Sequence, residues 1–276
     1  MTPTSVLDSA AIARFNERGA VNLPDAFPRD AALAMQEATW GRLQMCGIER
    51  HDRSTWGRPP PSLRPIESHP AFKALISPRL FGAMDNLLGA GCWKRPRNWG
   101  HFLVSFPHQG DEPWTVPLEG WRLDWPVLDR RNGLFVFLLF GDIAPRSGAT
   151  LLDEGSRRAI ERFASGLDVT RGARSEGRLR ADLLQSHPWL RSLTSEQTTP
   201  EARIAHFISD TIDDAGQPLR VIEACGAAGD AWLCHASILH CGSLNCGDMP
   251  RFMRGKVIGS GAQPVGQSRP GDADVA

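Results

Sequence analysis

The chain has 276 residues, enough for one domain with a full hydrophobic core, and its 31 acidic residues balance 31 lysines and arginines. This balance argues against a nucleic acid or an anionic membrane as a partner, because both attract a basic surface. The chain shows neither a signal peptide at its start nor an apolar stretch long enough to span a membrane, so we expect a cytoplasmic protein.

Residues 1–98 predict helices and a few strands that support a β-rich body. Apolar residues recur at helical spacing over 5–18, and a second periodic run ends near Cys46. The proline-rich stretch 58–62 predicts a loop. A further helix is predicted over 79–88, ended by the glycine that follows it.

From residue 99 to 258, short apolar runs alternate with Gly, Pro and Asp, which is typical of an all-β body. Residues 157–219 are polar and compatible with helices, so we expect an insertion between core strands that could cover a site. Residues 259–276 form a tail rich in Gly, Pro and Asp. The longest predicted strand covers 134–140, and later strands are predicted at 219–223, 230–235 and 252–258.

Two polar motifs interrupt the apolar runs. Trp121-Arg122-Leu123-Asp124 precedes the longest run, and His240 lies eleven residues before Arg251. Residues two apart on a strand share a face, so we expect Arg122 and Asp124 to be neighbours. His235 is an odd number of residues from His240 and is therefore predicted to face the other way.

Together with two further motifs, this pattern resembles the phytanoyl-CoA dioxygenase family of Fe(II)/2-oxoglutarate-dependent oxygenases, particularly its bacterial small-molecule hydroxylases. The further motifs are Pro145-Arg146-Ser147-Gly148-Ala149-Thr150 and Gly155-Ser156-Arg157-Arg158, and the agreement extends over residues 99–258. The resemblance implies a single domain over 1–276 with a mainly β fold, a double-stranded β-helix of the jelly-roll or cupin-like kind. N-terminal helices would support it, and the insertion would be partly helical.

The resemblance also implies an enzyme that uses Fe(II), 2-oxoglutarate and O2 to hydroxylate or otherwise oxidise a small organic substrate. It gives Asp124 and His240 the role of metal ligands at the catalytic site. It gives Arg251 the role of binding the distal carboxylate of 2-oxoglutarate, which suits the fork of donors on a guanidinium. Thr150 is a further candidate for binding this cosubstrate.

Arg122 stands where the family pattern has the first histidine ligand. A guanidinium has no lone pair to donate to a metal ion. A unit positive charge about 4 Å from a divalent ion costs roughly 8 kcal/mol at an effective dielectric of 20. We therefore expect Arg122 to pair with Asp124 and the chain to bind Fe(II) weakly. A substituted position, a pseudo-oxygenase or an unusual active site would each explain the residue.

The alternative function is that of a catalytically inactive pseudo-oxygenase with a regulatory or binding role, in which Arg122 and Arg251 hold a small anion. His101 and His108 could supply the missing metal ligand only if a neighbouring strand brought them to the site. Otherwise the third position of the metal site stays empty of a protein ligand.

Four cysteines and two histidines within residues 225–246 raise a separate zinc hypothesis. Their spacing lacks the close pairs that are typical of zinc modules, so buried free thiols are the expected state. The cysteines are Cys225, Cys234, Cys241 and Cys246.

Overall fold

Two antiparallel sheets form the body of the chain in a computed structural model that describes residues 5–57, 60–128, 132–167 and 175–260. The five-stranded sheet has the order β1 (Ala20–Leu23), β7 (Ala231–His235), β3 (Gly133–Leu139), β9 (Arg251–Gly259) and β2 (His101–Ser105). The four-stranded sheet has the order β5 (Thr211–Ile212), β6 (Pro218–Glu223), β4 (Thr150–Glu154) and β8 (His240–Gly242). The strands predicted in β3, β6, β7 and β9 are confirmed.

N-terminal helices cover the outer face of the five-stranded sheet. They are α1 (Ser9–Arg18), α2 (Arg29–Gln44) and α3 (Pro78–Leu88), with 3-10 turns at Arg53–Thr55, Arg64–Ile66 and Pro70–Leu75. Asp8 caps α1 by accepting from the Ala11 N–H at 2.7 Å, and Gly89 ends α3 at a φ of 88°. The core on this face joins these helices to alternate residues of β3, including Leu134 and Val136.

The insertion is helical and begins one residue before its predicted start. It contains α4 (Ser156–Ser165), α5 (Glu176–Ser186), α6 (Pro188–Ser195) and α7 (Pro200–Ile208). These helices form a second core with the outer face of the four-stranded sheet and with the irregular segment 114–127. The insertion therefore holds the segment that carries Arg122 and Asp124.

The facing sides of the two sheets enclose a third core. Phe135 and Phe137 of β3, Met253 of β9 and Leu152 of β4 all belong to it. Every residue of β3 is buried, because one face packs into this inner core and the other against the N-terminal helices. The inner face is where β4, β8 and β9 present polar side chains.

The predicted loop and the predicted tail are described only in part. The loop predicted at 58–62 is described from Pro60 onward and has no regular element up to Leu63. Of the predicted tail, Gly259 ends β9 and residues 261–276 lie outside the described ranges. Across those ranges, none of the helices combines the length and apolarity that crossing a membrane requires.

Candidate active site between the two sheets

Backbone pairing fixes Arg122 opposite His240. The Arg122 N–H donates to the His240 carbonyl at 2.9 Å, and the His240 N–H donates back to the Arg122 carbonyl at 3.1 Å. This is an isolated bridge, which places the segment beside β8 at the edge of the four-stranded sheet. On its other side His240 pairs with Leu152 of β4, so backbone pairing on both sides fixes its position.

His240 presents one ring nitrogen without a hydrogen-bond partner. The residue is 1% exposed, and its Nδ1 lies 3.2 Å from the Ile238 carbonyl. Its Nε2 is buried, has no hydrogen-bond partner among the described residues, and lies 3.5 Å from Asp124 Oδ2. A histidine that is oriented through one nitrogen and free at the other is the arrangement found in metal ligands.

Burial lowers the pKa of His240 below its usual value, because a charged imidazolium is poorly solvated there. Asp124 and the Ile238 carbonyl oppose this shift, whereas the charges of Arg122 and Arg180 add to it. The neutral imidazole is therefore favoured, and its lone pair is available to a ligand. The rings of Phe135 and Phe137, 5.1 and 6.2 Å from the imidazole, provide the apolar surroundings.

The prediction of an ion pair between Arg122 and Asp124 is wrong. Within the described chain the two residues do not pair, and the Asp124 carboxylate lies beside His240 instead. The reason is local backbone structure. Arg122 sits in a single bridge, and a bend begins at Asp124, so the alternation of a regular strand does not apply. Arg122 and Asp124 are both exposed, and the side chain of Asp124 is 26% exposed.

Arg251 lies on the inner face at the start of β9. It is two residues before Met253, which packs in the inner core, and it pairs with Ser105 of β2. Its Nη1 donates to the Gly148 carbonyl at 2.6 Å, and its Nε is buried without a partner among the described residues. Burial lowers the pKa of Arg251 to about 10, and repulsion from Arg122 contributes to the shift.

Thr150 also faces the space between the sheets. It begins β4, is 4% exposed and lies two residues before Leu152 of the inner core. Its backbone carbonyl accepts from the Ala224 N–H at 2.8 Å, which secures the strand end. The structure thus brings Asp124 and His240 into contact distance and places Arg251 and Thr150 on the same inner face.

Arg254, three residues further along β9, is buried on the opposite face of the strand from Arg251. Arg254 is 1% exposed and faces the N-terminal helices, since it is an odd number of residues from Arg251. Its Nη2 donates to the Gly100 carbonyl at 2.7 Å and lies 3.6 Å from Glu67 Oε1. Its guanidinium stacks over the Phe102 ring at 4.3 Å.

The other histidines lie apart from this pair. His235 faces away from His240 as predicted, and its ring lies 6.3 Å from that of Phe15 in α1. It accepts from the Ser237 N–H at 3.2 Å, and burial lowers its pKa to about 3. His101 is exposed on β2, and His108 lies 3.9 Å from Glu112. Within the described ranges no three His, Cys, Asp or Glu side chains converge as a metal site would require, and the six cysteines are free thiols.

Arg180 is a residue of the site region that sequence reasoning missed. From α5 it donates to the Leu123 carbonyl at 3.0 Å, between Arg122 and Asp124. Its charge also lowers the pKa of His240. No local pattern marks this residue, because the contact depends on how the helical insertion packs on the segment.

No protein-family model and no curated protein matches the chain. Solved structures do. EvdO2 from Micromonospora carbonacea var. aurantiaca, complexed with 2-oxoglutarate, is 18% identical over 96% of this chain and 95% of that one, with a TM-score of 0.51. EctD from S. alaskensis with bound Fe is 17% identical over 94% and 79%, with a TM-score of 0.50.

ThoJ, a non-haem monooxygenase, is 15% identical over 91% of this chain and 77% of that one, with a TM-score of 0.50. Identities this low show a shared fold. The chain therefore shares with EvdO2, EctD and ThoJ a fold of antiparallel sheets and flanking helices.

Proposed function

We propose that the chain is an Fe(II)/2-oxoglutarate-dependent dioxygenase of the phytanoyl-CoA dioxygenase-like kind, with a double-stranded β-helix and an iron site weakened by Arg122. The observation that carries the proposal is the buried, unpartnered Nε2 of His240 facing the Asp124 carboxylate at 3.5 Å. Arg251 supports it with spare donors on the same inner face. The reaction would oxidise or hydroxylate a small organic molecule, consume O2 and 2-oxoglutarate, and release succinate and CO2.

The residues present fit iron only in part. A neutral imidazole nitrogen and a carboxylate are two of the three ligands that non-haem Fe(II) sites use. No third such ligand joins them within the described part of the chain, and the charge of Arg122 opposes a metal ion. We therefore expect the unaltered chain to bind Fe(II) weakly.

2-Oxoglutarate fits the inner face better than iron does. A carboxylate would accept from the buried Nε and the free Nη2 of Arg251, in the bidentate geometry that guanidinium groups favour. The Gly148 carbonyl holds Nη1 and so orients the fork. Thr150 would add a hydroxyl donor from β4.

One observation favours the second candidate, an inactive pseudo-oxygenase that binds a small anion. Burial lowers the pKa of Arg251 most, and the charge of Arg122 lowers it further, because the two guanidiniums repel each other. A dicarboxylate held by both arginines would relieve that repulsion. In this case 2-oxoglutarate or a similar anion would bind without iron.

Arg122→His separates the two candidates. The substitution supplies an imidazole at the third ligand position and removes the repelling charge, so we expect Fe(II) affinity to rise at least about tenfold. Succinate release from 2-oxoglutarate should appear through slow uncoupled turnover, even without the substrate. Anaerobic calorimetry with Fe(II) and mass-spectrometric detection of succinate measure the two effects. Arg191→His, on the exposed surface of α6, is the matched control.

Equal and substantial succinate release by the unaltered chain and by Arg122→His would contradict the ligand argument. Binding of 2-oxoglutarate by both proteins, with restored iron binding but no succinate in Arg122→His, would favour the anion-binding protein. Absence of 2-oxoglutarate binding in both would remove the role proposed for Arg251.

A further inference from the structure

A cavity of about 740 Å³ opens along the free edge of β2. β2 is the last strand of its sheet, so the cavity extends around that edge and receives side chains from both faces. Arg251 enters it from the inner face and Lys256 from the outer face, and residues 60–64 form the opposite wall. Neither Asp124 nor His240 is among its described lining residues.

The cavity carries an excess of positive charge although the chain as a whole is neutral. Its described lining residues include three cations, Arg64, Lys256 and Arg251, and one carboxylate, Glu67. Glu67 already lies 3.6 Å from the buried Arg254, so it does not balance the cations of the cavity. His101 is a further lining residue that can donate a hydrogen bond.

The three cations have neutral partners or none within the described chain. Lys256 Nζ donates to the Asn98 side-chain carbonyl at 2.9 Å, and Arg251 donates to the Gly148 carbonyl. Arg64 is exposed, and its guanidinium has no ion pair or hydrogen bond to any described residue. Lys256 and Arg251 are partly buried. A partly buried cation without a counter-ion attracts an anion more strongly, because less water screens the charge.

The volume is large for the cosubstrate alone. Cavities of roughly 300–1,000 Å³ bind ligands of drug-like size, whereas 2-oxoglutarate is a five-carbon molecule. Arg251 contributes one end of the cavity, and Lys256 lies five residues further along the same strand, on the opposite face. The space beside Lys256 and Arg64 is therefore available to a second molecule.

We infer that this cavity binds a small organic anion beside the cosubstrate, and that the phosphate or carboxylate group of this anion is held by Lys256 and Arg64. The inference rests on the proposed function, in which Arg251 binds the cosubstrate. It specifies the ligand of the cavity as a small organic anion.

Calorimetry of the full chain with inorganic phosphate and with citrate tests the inference, in the presence of saturating 2-oxoglutarate. We expect Lys256→Met and Arg64→Gln each to weaken binding of the better probe about tenfold, the lower end for loss of a hydrogen bond to a charged group. Lys73→Met, on an exposed lysine outside the cavity, is the matched control and should bind like the unaltered chain. Both cavity variants should keep the unaltered affinity for 2-oxoglutarate.

Tighter binding of phosphate would identify the ligand of the cavity as a phosphate ester, and tighter binding of citrate would identify it as a carboxylate. Equal affinity in Lys256→Met and Lys73→Met would overturn the inference, as would failure of both probes to bind the unaltered chain. Thermal unfolding midpoints establish that each variant is folded. If the unaltered chain bound a probe but not 2-oxoglutarate, the proposed function would be contradicted, whereas the inference that the cavity binds an anion would stand.

Discussion

The arginines on the two faces of strand β9 have different surroundings. Arg254, on the outer face, has a carboxylate from Glu67, a carbonyl from Gly100 and the ring of Phe102 around its charge. Arg251, on the inner face, has only the Gly148 carbonyl among the described residues. Both have a buried Nε without a partner, so that feature does not distinguish them. The difference is charge compensation, from which we expect Arg254 to stabilise the fold and Arg251 to be available for the anion proposed above.

The polar residues on the two faces of strand β4 also differ. On its outer face Asp153 is fully buried, and its Oδ1 accepts from the Trp189 Nε1–H of α6 at 2.8 Å. Its Oδ2 has no partner among the described residues, and burial raises the pKa of Asp153 to about 8. On the inner face Thr150 carries an uncharged hydroxyl. We therefore expect Asp153 to affect stability and Thr150 to affect binding.

The largest expected effect lies at Asp153. Its pKa rises from the ordinary 3.8 to about 8, so between these pH values the folded state holds a proton that the unfolded chain has released. The stabilisation is fully present below pH 4 and is lost as pH rises through 8, with an upper limit of about 6 kcal/mol. Asp153→Asn keeps an acceptor for Trp189 but does not titrate. We expect it to raise stability at pH 8 and flatten the pH dependence.

Urea unfolding followed by Trp fluorescence at pH 5 and pH 8 measures this effect. Other groups titrate in the same range, so the informative quantity is the difference between Asp153→Asn and the unaltered chain. Asp111→Asn, at an exposed position, is the control. An unchanged pH slope in Asp153→Asn would show that Asp153 is ionised in the folded state.

The next effect is expected at Arg254. Arg254→Met keeps an apolar stem in the core but removes the hydrogen bond to Gly100, the pairing with Glu67 and the contact with Phe102. A hydrogen bond to a charged group contributes about 1.5–3 kcal/mol and a cation–π contact about 0.5–2 kcal/mol. We expect the free energy of unfolding to fall by about 3 kcal/mol, and 2-oxoglutarate affinity of the folded protein to stay unchanged. A large loss of that affinity, without a loss of stability, would reverse the assignment of the two arginines.

Much of the fold could be predicted from the sequence, because its elements follow local periodicity. The predicted strands 219–223, 230–235 and 252–258 correspond to β6, β7 and β9 within one residue at each end. The continuous apolar run at 134–140 corresponds to β3, a strand covered on both faces. The orientation of His235 followed from alternation along the chain, although its partner α1 could not be identified.

The parts that could not be predicted depend on irregular backbone and on distant contacts. Arg122 and Asp124 form no ion pair within the described chain, and a bend begins at Asp124 that no residue type in the motif requires. The role of Arg254 depends on Glu67, and the cavity joins Arg64 to Lys256. These residues are far apart in sequence, so no spacing rule connects them.

The smallest expected effect, and the one that tests the inner face most directly, is at Arg251. Arg251→Ala removes the only cationic fork on the inner part of β9 that lacks a counter-ion among the described residues, while the carbonyl of Gly148 can accept from water instead. We expect 2-oxoglutarate binding to weaken by about 1.5–3 kcal/mol, roughly ten- to a hundredfold in dissociation constant. The unfolding free energy should change less than in Arg254→Met, because desolvation of Arg251 is already unfavourable in the folded chain.

Isothermal calorimetry with 2-oxoglutarate measures the binding term, and Arg79→Ala is the matched control. Arg79 also donates to one backbone carbonyl, that of Pro24 at 3.0 Å, but it lies on the exposed surface of α3. Unchanged 2-oxoglutarate affinity in Arg251→Ala, together with a stability loss as large as that of Arg254→Met, would mean that both arginines of β9 are structural. The distinction between the two faces would then hold for Asp153 and Thr150 at most, and the proposed cosubstrate site would have lost its anchor.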